Sequence, residues 1–210
     1  LEAFREAHAA DRNHVSTILA LQSLYAAGGQ AEALLELYAA EAERLQGGDG
    51  QIYFTEAARL ARDSMKDAGR AADLFNQALA CQESAEIRHE LQALLASSGD
   101  WAGLTKELEA EVAASSGSQQ AWVKMRLARA KEGAGDLDGA LVLYREIAED
   151  PAAAPAADAV SRILHEQGEF SALVDFWEKL SSSVEDSQLR VTLSFRMGEV
   201  CEGHLDDQAG

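Results

Sequence analysis

The sequence predicts an all-α protein, an α-solenoid of stacked antiparallel helix hairpins. Glycines suited to tight turns recur at a mean interval close to 35 residues, and apolar residues recur at fixed distances from them. Self-similarity at this period is the signature of repeat architectures. The composition agrees, because alanine, leucine and glutamate favour helices and only 2 prolines occur among 210 residues.

The turn glycines set the register of the repeat. They are Gly29, Gly69, Gly99, Gly135 and Gly168, at intervals of 40, 30, 36 and 33 residues. Glycine readily adopts the left-handed conformation in which a helix often ends. Aspartate follows it in Gly99-Asp100 and Gly135-Asp136, where it can cap the next helix. Each unit is therefore predicted to be two short helices joined by a tight turn.

Large residues occupy fixed positions around four of these turns. Eight residues before the turn stand Leu21, Leu91, Leu127 and Val160. Five residues after it stand Leu34, Leu104, Ala140 and Leu173, and nine after it stand Tyr38, Leu108, Tyr144 and Trp177. The turn at Gly69 fits only with a loop about two residues shorter, using Ala58 or Leu60 before it and Phe75 after it. A hairpin with such an apolar face needs neighbours stacked on it.

One unit carries the pattern most completely. Its residues are Leu127-Ala128, Gly135-Asp136, Ala140-Leu141, Tyr144, Ala148 and Pro151. This order of a large and a small residue, a Gly-Asp turn, an alanine, an aromatic and a final proline resembles the tetratricopeptide repeats. The other units are degenerate, since Gln22, Gln92 and Ser161 stand where that family prefers Gly or Ala. The resemblance implies a right-handed superhelix with first helices lining a concave groove. A related solenoid of HEAT type is the alternative.

The domain organisation follows from this register. Residues 1–210 are predicted to form a single array, a fragment of a longer one. Its complete units are 14–47, 51–81, 84–114, 120–151 and 154–181, with partial units at 1–13 and 187–210. Residues 205–207 would form the last turn. The Gly- and Ser-rich stretches 47–50, 115–118 and 181–183 are predicted surface loops, and 47–50 alternatively a hinge between two sub-arrays.

Charge and composition exclude several classes of function. The net charge is −18, from 36 acidic and 18 basic residues, and such a chain would repel nucleic acid and anionic membranes. No apolar run is long enough for membrane insertion. Cys81 and Cys201 form no CxxC pair, which favours a reducing compartment and a cytoplasmic location. The alanine-rich, cysteine-poor composition suggests a bacterial source.

Motifs for catalysis are absent from the sequence. The five histidines form no HExxH motif, and Gly47–Gly50 lacks the Lys-Ser/Thr of a phosphate loop. No GxSxG elbow surrounds a serine. We therefore expect no enzyme activity, no cofactor and no metal site.

The stretch 121–131, AWVKMRLARAK, is basic and free of acids within this acidic chain. Trp122, Arg126 and Arg129 share one helical face, and Arg162 occupies in the next unit the position of Arg129. His89 stands on the first helix of an earlier unit and is a further candidate for the same wall. These side chains either are solvated charges that balance nearby acids, with Trp122 a core residue at the junction with the preceding unit, or they line a groove for an acidic or C-terminal peptide.

The function predicted from this pattern is that of a scaffold or adaptor that binds a partner protein or peptide in its concave groove. The alternative is a regulatory or sensor segment of a larger protein whose catalytic or DNA-binding part lies outside this chain.

Overall fold

The computed structural model describes residues 1–45, 47–150 and 153–205. Within these residues the protein has twelve α-helices and no strand. The helices are α1 (Glu2–Ala10), α2 (Val15–Ala27), α3 (Ala31–Leu45), α4 (Gly47–Leu60), α5 (Ala68–Cys81), α6 (Ala85–Ser98), α7 (Trp101–Ala114), α8 (Gly117–Gly133), α9 (Leu137–Ile147), α10 (Ala154–Gln167), α11 (Phe170–Ser183) and α12 (Ser187–Val200). Single π-helical turns, Ala61–Met65 and Cys201–Leu205, extend α4 and α12. The predicted all-α helical-repeat fold is confirmed.

The chain divides into two compact units, Leu1–Asp100 with α1 to α6 and Trp101–Gly210 with α7 to α12. Even-numbered helices are the first helices of the repeats, and odd-numbered helices are the second. Within each unit a helix packs mainly on its neighbours along the chain, as expected for a repeat protein. Among the described residues, no helix combines the length and apolar character needed to cross a bilayer.

Burial confirms the register at four turns. Gly29, Gly99, Gly135 and Gly168 have positive φ angles between 63° and 81°. The residues eight before these turns are at most 4% exposed. Nine residues after the turns, Leu108, Tyr144 and Trp177 are buried, whereas Tyr38 is only half-buried.

The predicted turn at Gly69 is wrong. Gly69 lies inside α5, and the left-handed residue is Lys66, with φ 57°. Counted from Lys66, Ala58 stands at −8, Ala71 at +5 and Phe75 at +9, and all three are 0% exposed. The unit therefore fits the common template without a shortened loop. The sequence did not indicate this turn, because a residue with a Cβ atom disfavours the left-handed conformation and lysine is not expected there.

Two of the predicted loops are helical. Residues 47–50 form the first turn of α4, and residues 181–183 end α11. A Cβ on Gly50 would lie 2.7 Å from the carbonyl oxygen of Ala42, so this glycine permits close packing of α4 on α3 rather than a loop or hinge. In the stretch 115–118, α8 already begins at Gly117. Pro151 and the predicted turn residues Asp206 and Asp207 lie outside the described residues.

Candidate partner-binding groove

Helix α8 has an apolar face on one side and a basic face on the other. Val123, Leu127 and Ala130 are at most 4% exposed and pack into the second unit. On the other side Trp122 is 57% exposed, Arg129 is exposed and Arg126 is half-buried. The basic side chains are thus available at the surface of a helix that its apolar face holds in place.

A groove of about 730 Å³ runs along α8 and α10. Its walls bring together Arg129 and Arg162, the two arginines that share a register position. The lining residues are Met125, Arg129, Glu132, Gly133, Tyr144, Pro155, Asp158, Ala159 and Arg162. The groove therefore has two guanidinium groups, two carboxylates and a partly apolar floor.

Arg162 is held by Glu132, a residue that sequence reasoning missed. Arg162 Nη2 donates to Glu132 Oε1 at 2.6 Å, and Nη1 donates to Glu166 Oε2 at 3.4 Å. The Tyr144 hydroxyl donates to the other Glu132 oxygen at 3.1 Å. Burial, and then the bond to Glu132, raises the pKa of Tyr144 to about 12, so the hydroxyl remains a donor even in alkaline solution.

Arg129 differs from Arg162 in its surroundings. Its side chain is exposed and forms no ion pair within the described part of the chain. Glu132 stands three residues after Arg129 on the same helix, a spacing at which side chains can meet, yet its carboxylate is engaged by Arg162 and Tyr144. Arg129 is therefore the groove cation open to an external carboxylate.

The two lysines of the basic stretch have intramolecular partners. Lys124 pairs with Glu146 of α9. Lys131 lies 3.2 Å from Asp136 and 3.6 Å from Glu109, and the bond to Asp136 is the main cause that raises the pKa of Lys131. Neither lysine lines the groove.

Trp122 and Arg126 form a separate pair on α8. The guanidinium carbon of Arg126 lies 4.7 Å from the centre of the Trp122 ring, within cation–π range. Arg126 Nη1 is 3.6 Å from Glu111 of α7. Neither residue lines the groove of Arg129 and Arg162. His89 is exposed on α6, in the first compact unit.

Comparisons with known proteins place the fold. No model of a known protein family matches the chain, and no curated protein sequence matches it. A chain in the structure of Naa15/Naa10 bound to HypK-THB is similar, with a TM-score of 0.65 and 18% identity over 98% of this chain. This chain spans 34% of that chain, about a third of its length.

Two further structures are similar at a lower TM-score of 0.47. YrrB, a TPR protein with an unusual peptide-binding site, is 16% identical over 91% of this chain and 97% of its own. A Podosopora anserina kinesin light chain with nearly identical TPR-like repeats is 20% identical over 81% of this chain and 96% of its own. With its helix hairpins in the register described above, the chain has an all-α helical-repeat fold, and the similar chain of TM-score 0.65 shares this fold.

Proposed function

We propose that the chain is a non-catalytic interaction module and that its groove between α8 and α10 binds an acidic segment of a partner protein. The observation that carries this proposal is the pair Arg129 and Arg162. They occupy equivalent positions on successive first helices and line one groove. In a chain of net charge −18, Arg129 nevertheless forms no ion pair within the described residues.

The chemistry of the groove suits a carboxylate. A guanidinium group presents a planar fork of donors that matches a carboxylate in two parallel hydrogen bonds. Arg162 is already oriented by Glu132, which lowers the ordering cost of binding. Asp158 can accept hydrogen bonds from backbone N–H groups of the segment, and Met125 and Ala159 can contact its apolar side chains.

The surrounding charge favours selectivity over tight binding. The acidic surface around the groove repels other acidic patches of a partner, so only a segment that reaches the two arginines gains. Trp122 is included in the proposal as an exposed aromatic anchor beside Arg126, since tryptophan and arginine are frequent in binding hot spots. His89 is a separate candidate on the first unit.

The fold supports an interaction role. The similar chain of TM-score 0.65 comes from a structure in which Naa15/Naa10 is bound to HypK-THB, so a chain of this fold occurs within a protein complex.

Cys81 and Cys201 are free and half-buried. We add the proposal that the module acts in a reducing compartment such as the cytoplasm.

The test is selection of a phage-displayed random peptide library on the purified chain, followed by affinity measurements with the selected peptides labelled with a fluorophore. We expect acidic peptides. Arg129→Ala combined with Arg162→Ala should weaken their binding at least about tenfold. Higher salt should also weaken it, because the Debye length falls from about 10 Å at 0.1 M to about 3 Å at 1 M.

The matched control combines Arg145→Ala with Lys179→Ala. These exposed side chains line a different groove, between the second helices α9 and α11, and their loss changes the net charge equally. The control should keep the affinity within about twofold. Selected peptides without acidic residues, or equal losses in the two double variants, would show that the partner binds elsewhere.

A further inference from the structure

A second cavity, in the first compact unit, carries chemistry that the groove of α8 and α10 lacks. It has a volume of about 370 Å³ and lies between α1 and α3, above α2. Arg5, His8 and Arg12 line one wall, and Glu36 and Glu41 line the other. Ala33 and Ala40 on α3 provide accessible apolar surface, and Leu21 and Leu37 are buried beneath it. Its size is near the lower end of the range for small-molecule sites.

The basic wall is oriented but not neutralised. Arg5 Nε donates to the Tyr25 hydroxyl at 2.7 Å, and the guanidinium carbon lies 5.4 Å from the centre of the Tyr25 ring. These contacts fix the plane of the guanidinium and leave its terminal nitrogens for another acceptor. Neither Arg5 nor Arg12 forms an ion pair among residues 1–45, 47–150 and 153–205, although acids outnumber bases two to one.

Arg12 sits in a turn that is held to α3. Asn13, the next residue, accepts a hydrogen bond from Arg44 Nη1 at 2.6 Å, and its backbone N–H donates to Asp11 at 2.9 Å. The backbone that carries Arg12 is therefore fixed relative to the opposite wall. Beside it, His8 Nδ1 is buried and has no hydrogen-bond partner within the described residues.

The acidic wall contains one neutralised and one available carboxylate. Glu41 is 1% exposed, and its Oε2 accepts from Arg44 Nε at 3.0 Å and Nη2 at 2.6 Å. Its other oxygen is 3.7 Å from His8 Nε2. Glu36, by contrast, is exposed and unpaired among the described residues. The cavity thus offers unpaired cations on one wall and an unpaired carboxylate on the other, above apolar side chains.

We propose that this cavity binds a small zwitterion with an apolar body, an apolar α-amino acid. Its carboxylate accepts hydrogen bonds from Arg5 and Arg12 in the fork geometry of guanidinium groups. Its ammonium group donates to Glu36, and its side chain covers Ala33 and Ala40. A purely anionic ligand would leave Glu36 opposed to it, and a purely cationic one would face the arginines. This site is independent of the proposed peptide groove.

The test uses three probes that differ in one charge each: L-leucine, N-acetyl-L-leucine without the ammonium group, and L-leucinamide without the carboxylate. Binding is followed by NMR chemical shifts of the His8 and Tyr25 rings in the intact chain. Leucine should bind in the millimolar range, N-acetyl-leucine about fivefold more weakly and leucinamide most weakly. Glu36→Gln should abolish the preference for leucine over N-acetyl-leucine.

Loss of the arginines should remove the site. Arg5→Ala combined with Arg12→Ala should weaken leucine binding at least about tenfold. The control is again Arg145→Ala with Lys179→Ala, because their groove is the counterpart in the second unit: Asp175 lines it seven residues after Gly168, as Glu36 stands seven after Gly29. That control should bind leucine unchanged.

Arg5→Ala also removes the bond to Tyr25, so two milder variants keep the test decisive. Arg12→Ala leaves that bond intact, and Arg5→Lys keeps the charge but removes the fork. Each should weaken leucine binding several-fold with an unchanged helical circular dichroism spectrum. Leucinamide binding as tightly as leucine, unchanged binding in both milder variants, or no shift at about 50 mM leucine would overturn the proposal.

Discussion

The first-helix surfaces of the two compact units use arginine in opposite ways. In the first unit, Arg59 and Arg62 both donate to Glu90 of α6, at 2.5 Å and 2.9 Å. These bonds, that of Arg59 first, lower the pKa of Glu90. In the second unit, Arg162 is bound by Glu132 but Arg129 is not paired among the described residues. A basic residue on this surface therefore does not by itself indicate a binding site.

What distinguishes the two surfaces is where the acid stands. Glu90 lies on α6, the first helix of the following repeat, and accepts hydrogen bonds from Arg59 and Arg62. These bonds join α4 and its π-helical turn to α6. Glu132 lies on the same helix as Arg129 and reaches forward to Arg162. The first arrangement stabilises the stack, whereas the second leaves one cation open to a ligand.

The largest expected effect compares how well the side chain at one register position is packed within each unit. Tyr144 is 2% exposed, and Tyr38, at the equivalent position, is half-buried. Tyr144→Ala should lower the free energy of unfolding by about 3–5 kcal/mol, and Tyr38→Ala by about 1–2 kcal/mol. Tyr144→Phe, which removes only the hydroxyl bonded to Glu132, should cost about 1 kcal/mol.

Urea unfolding can follow the units separately, because all three tryptophans, Trp101, Trp122 and Trp177, lie in the second unit. Tryptophan fluorescence should shift for the Tyr144 variants, and far-UV circular dichroism should report the Tyr38 variant. A loss below about 1 kcal/mol for Tyr144→Ala would contradict the burial of this side chain.

The next effect concerns the Glu90 cluster. Glu90→Gln should destabilise the first unit by about 1–2 kcal/mol at neutral pH, since the three charge-assisted hydrogen bonds from Arg59 and Arg62 to a side chain that is 21% exposed are lost or weakened. The folded-state pKa of Glu90 is lowered, so its contribution is complete above the ordinary carboxyl pKa of about 4.3 and is lost as the pH falls through the folded value.

Thermal unfolding by circular dichroism from about pH 7 to about pH 3 checks this sign. The difference in melting temperature between wild type and Glu90→Gln should become smaller as the solution becomes more acidic. A difference that is constant over this range would mean that the cluster is not coupled to folding.

A smaller effect separates the two acids by function. Glu132→Gln should strengthen binding of the selected acidic peptides by about three- to fivefold, because it removes a like charge from the groove and frees Arg162. Glu90→Gln should leave this affinity unchanged. Weaker binding after Glu132→Gln would show that its orientation of Arg162 outweighs the repulsion of its charge.

The fold could be predicted from the sequence because the repeat leaves a signal at many positions at once. Turn glycines and buried residues at −8 and +5 agreed in four units, and buried residues at +9 in three, so the degenerate positions such as Gln92 did not obscure the repeat. The Gly47–Gly50 stretch was misassigned because glycine serves both loops and close helix packing, and only the approach of Gly50 to Ala42 distinguishes the two.

The candidate groove was predictable only in part. Register alone indicated that Arg129 and Arg162 stand at equivalent positions, and the structure places them in one groove. Their charge partners could not be assigned, because with 36 acids many pairings are compatible with the sequence. The bond from Tyr144 to Glu132 and the stacking of Arg126 on Trp122 depend on side-chain rotamers, which periodicity does not specify.

The smallest expected effect tests whether Lys66 or Gly69 is the turn residue of this hairpin in the first unit. Lys66 has φ 57° and Gly69 is helical. Lys66→Gly should therefore stabilise the first unit by about 0.5–1 kcal/mol, since glycine adopts the left-handed conformation without a Cβ penalty. Gly69→Ala should be neutral or stabilising by about 0.5 kcal/mol, and its Cβ would only approach Asp67 Oδ1 to 3.7 Å.

Gly99→Ala is the matched control, because Gly99 has φ 74° and open space around its Cβ position. Its destabilisation, about 1 kcal/mol, would come from backbone conformation alone. Far-UV circular dichroism in urea would measure all three variants. If Gly69 were the turn residue, Gly69→Ala would destabilise as Gly99→Ala does and Lys66→Gly would lower helix stability. The changes in unfolding free energy for Gly69→Ala and Gly99→Ala therefore decide which residue closes this hairpin. If only Gly99→Ala is destabilising, Lys66 is the turn residue and its unit shares the register of the four others.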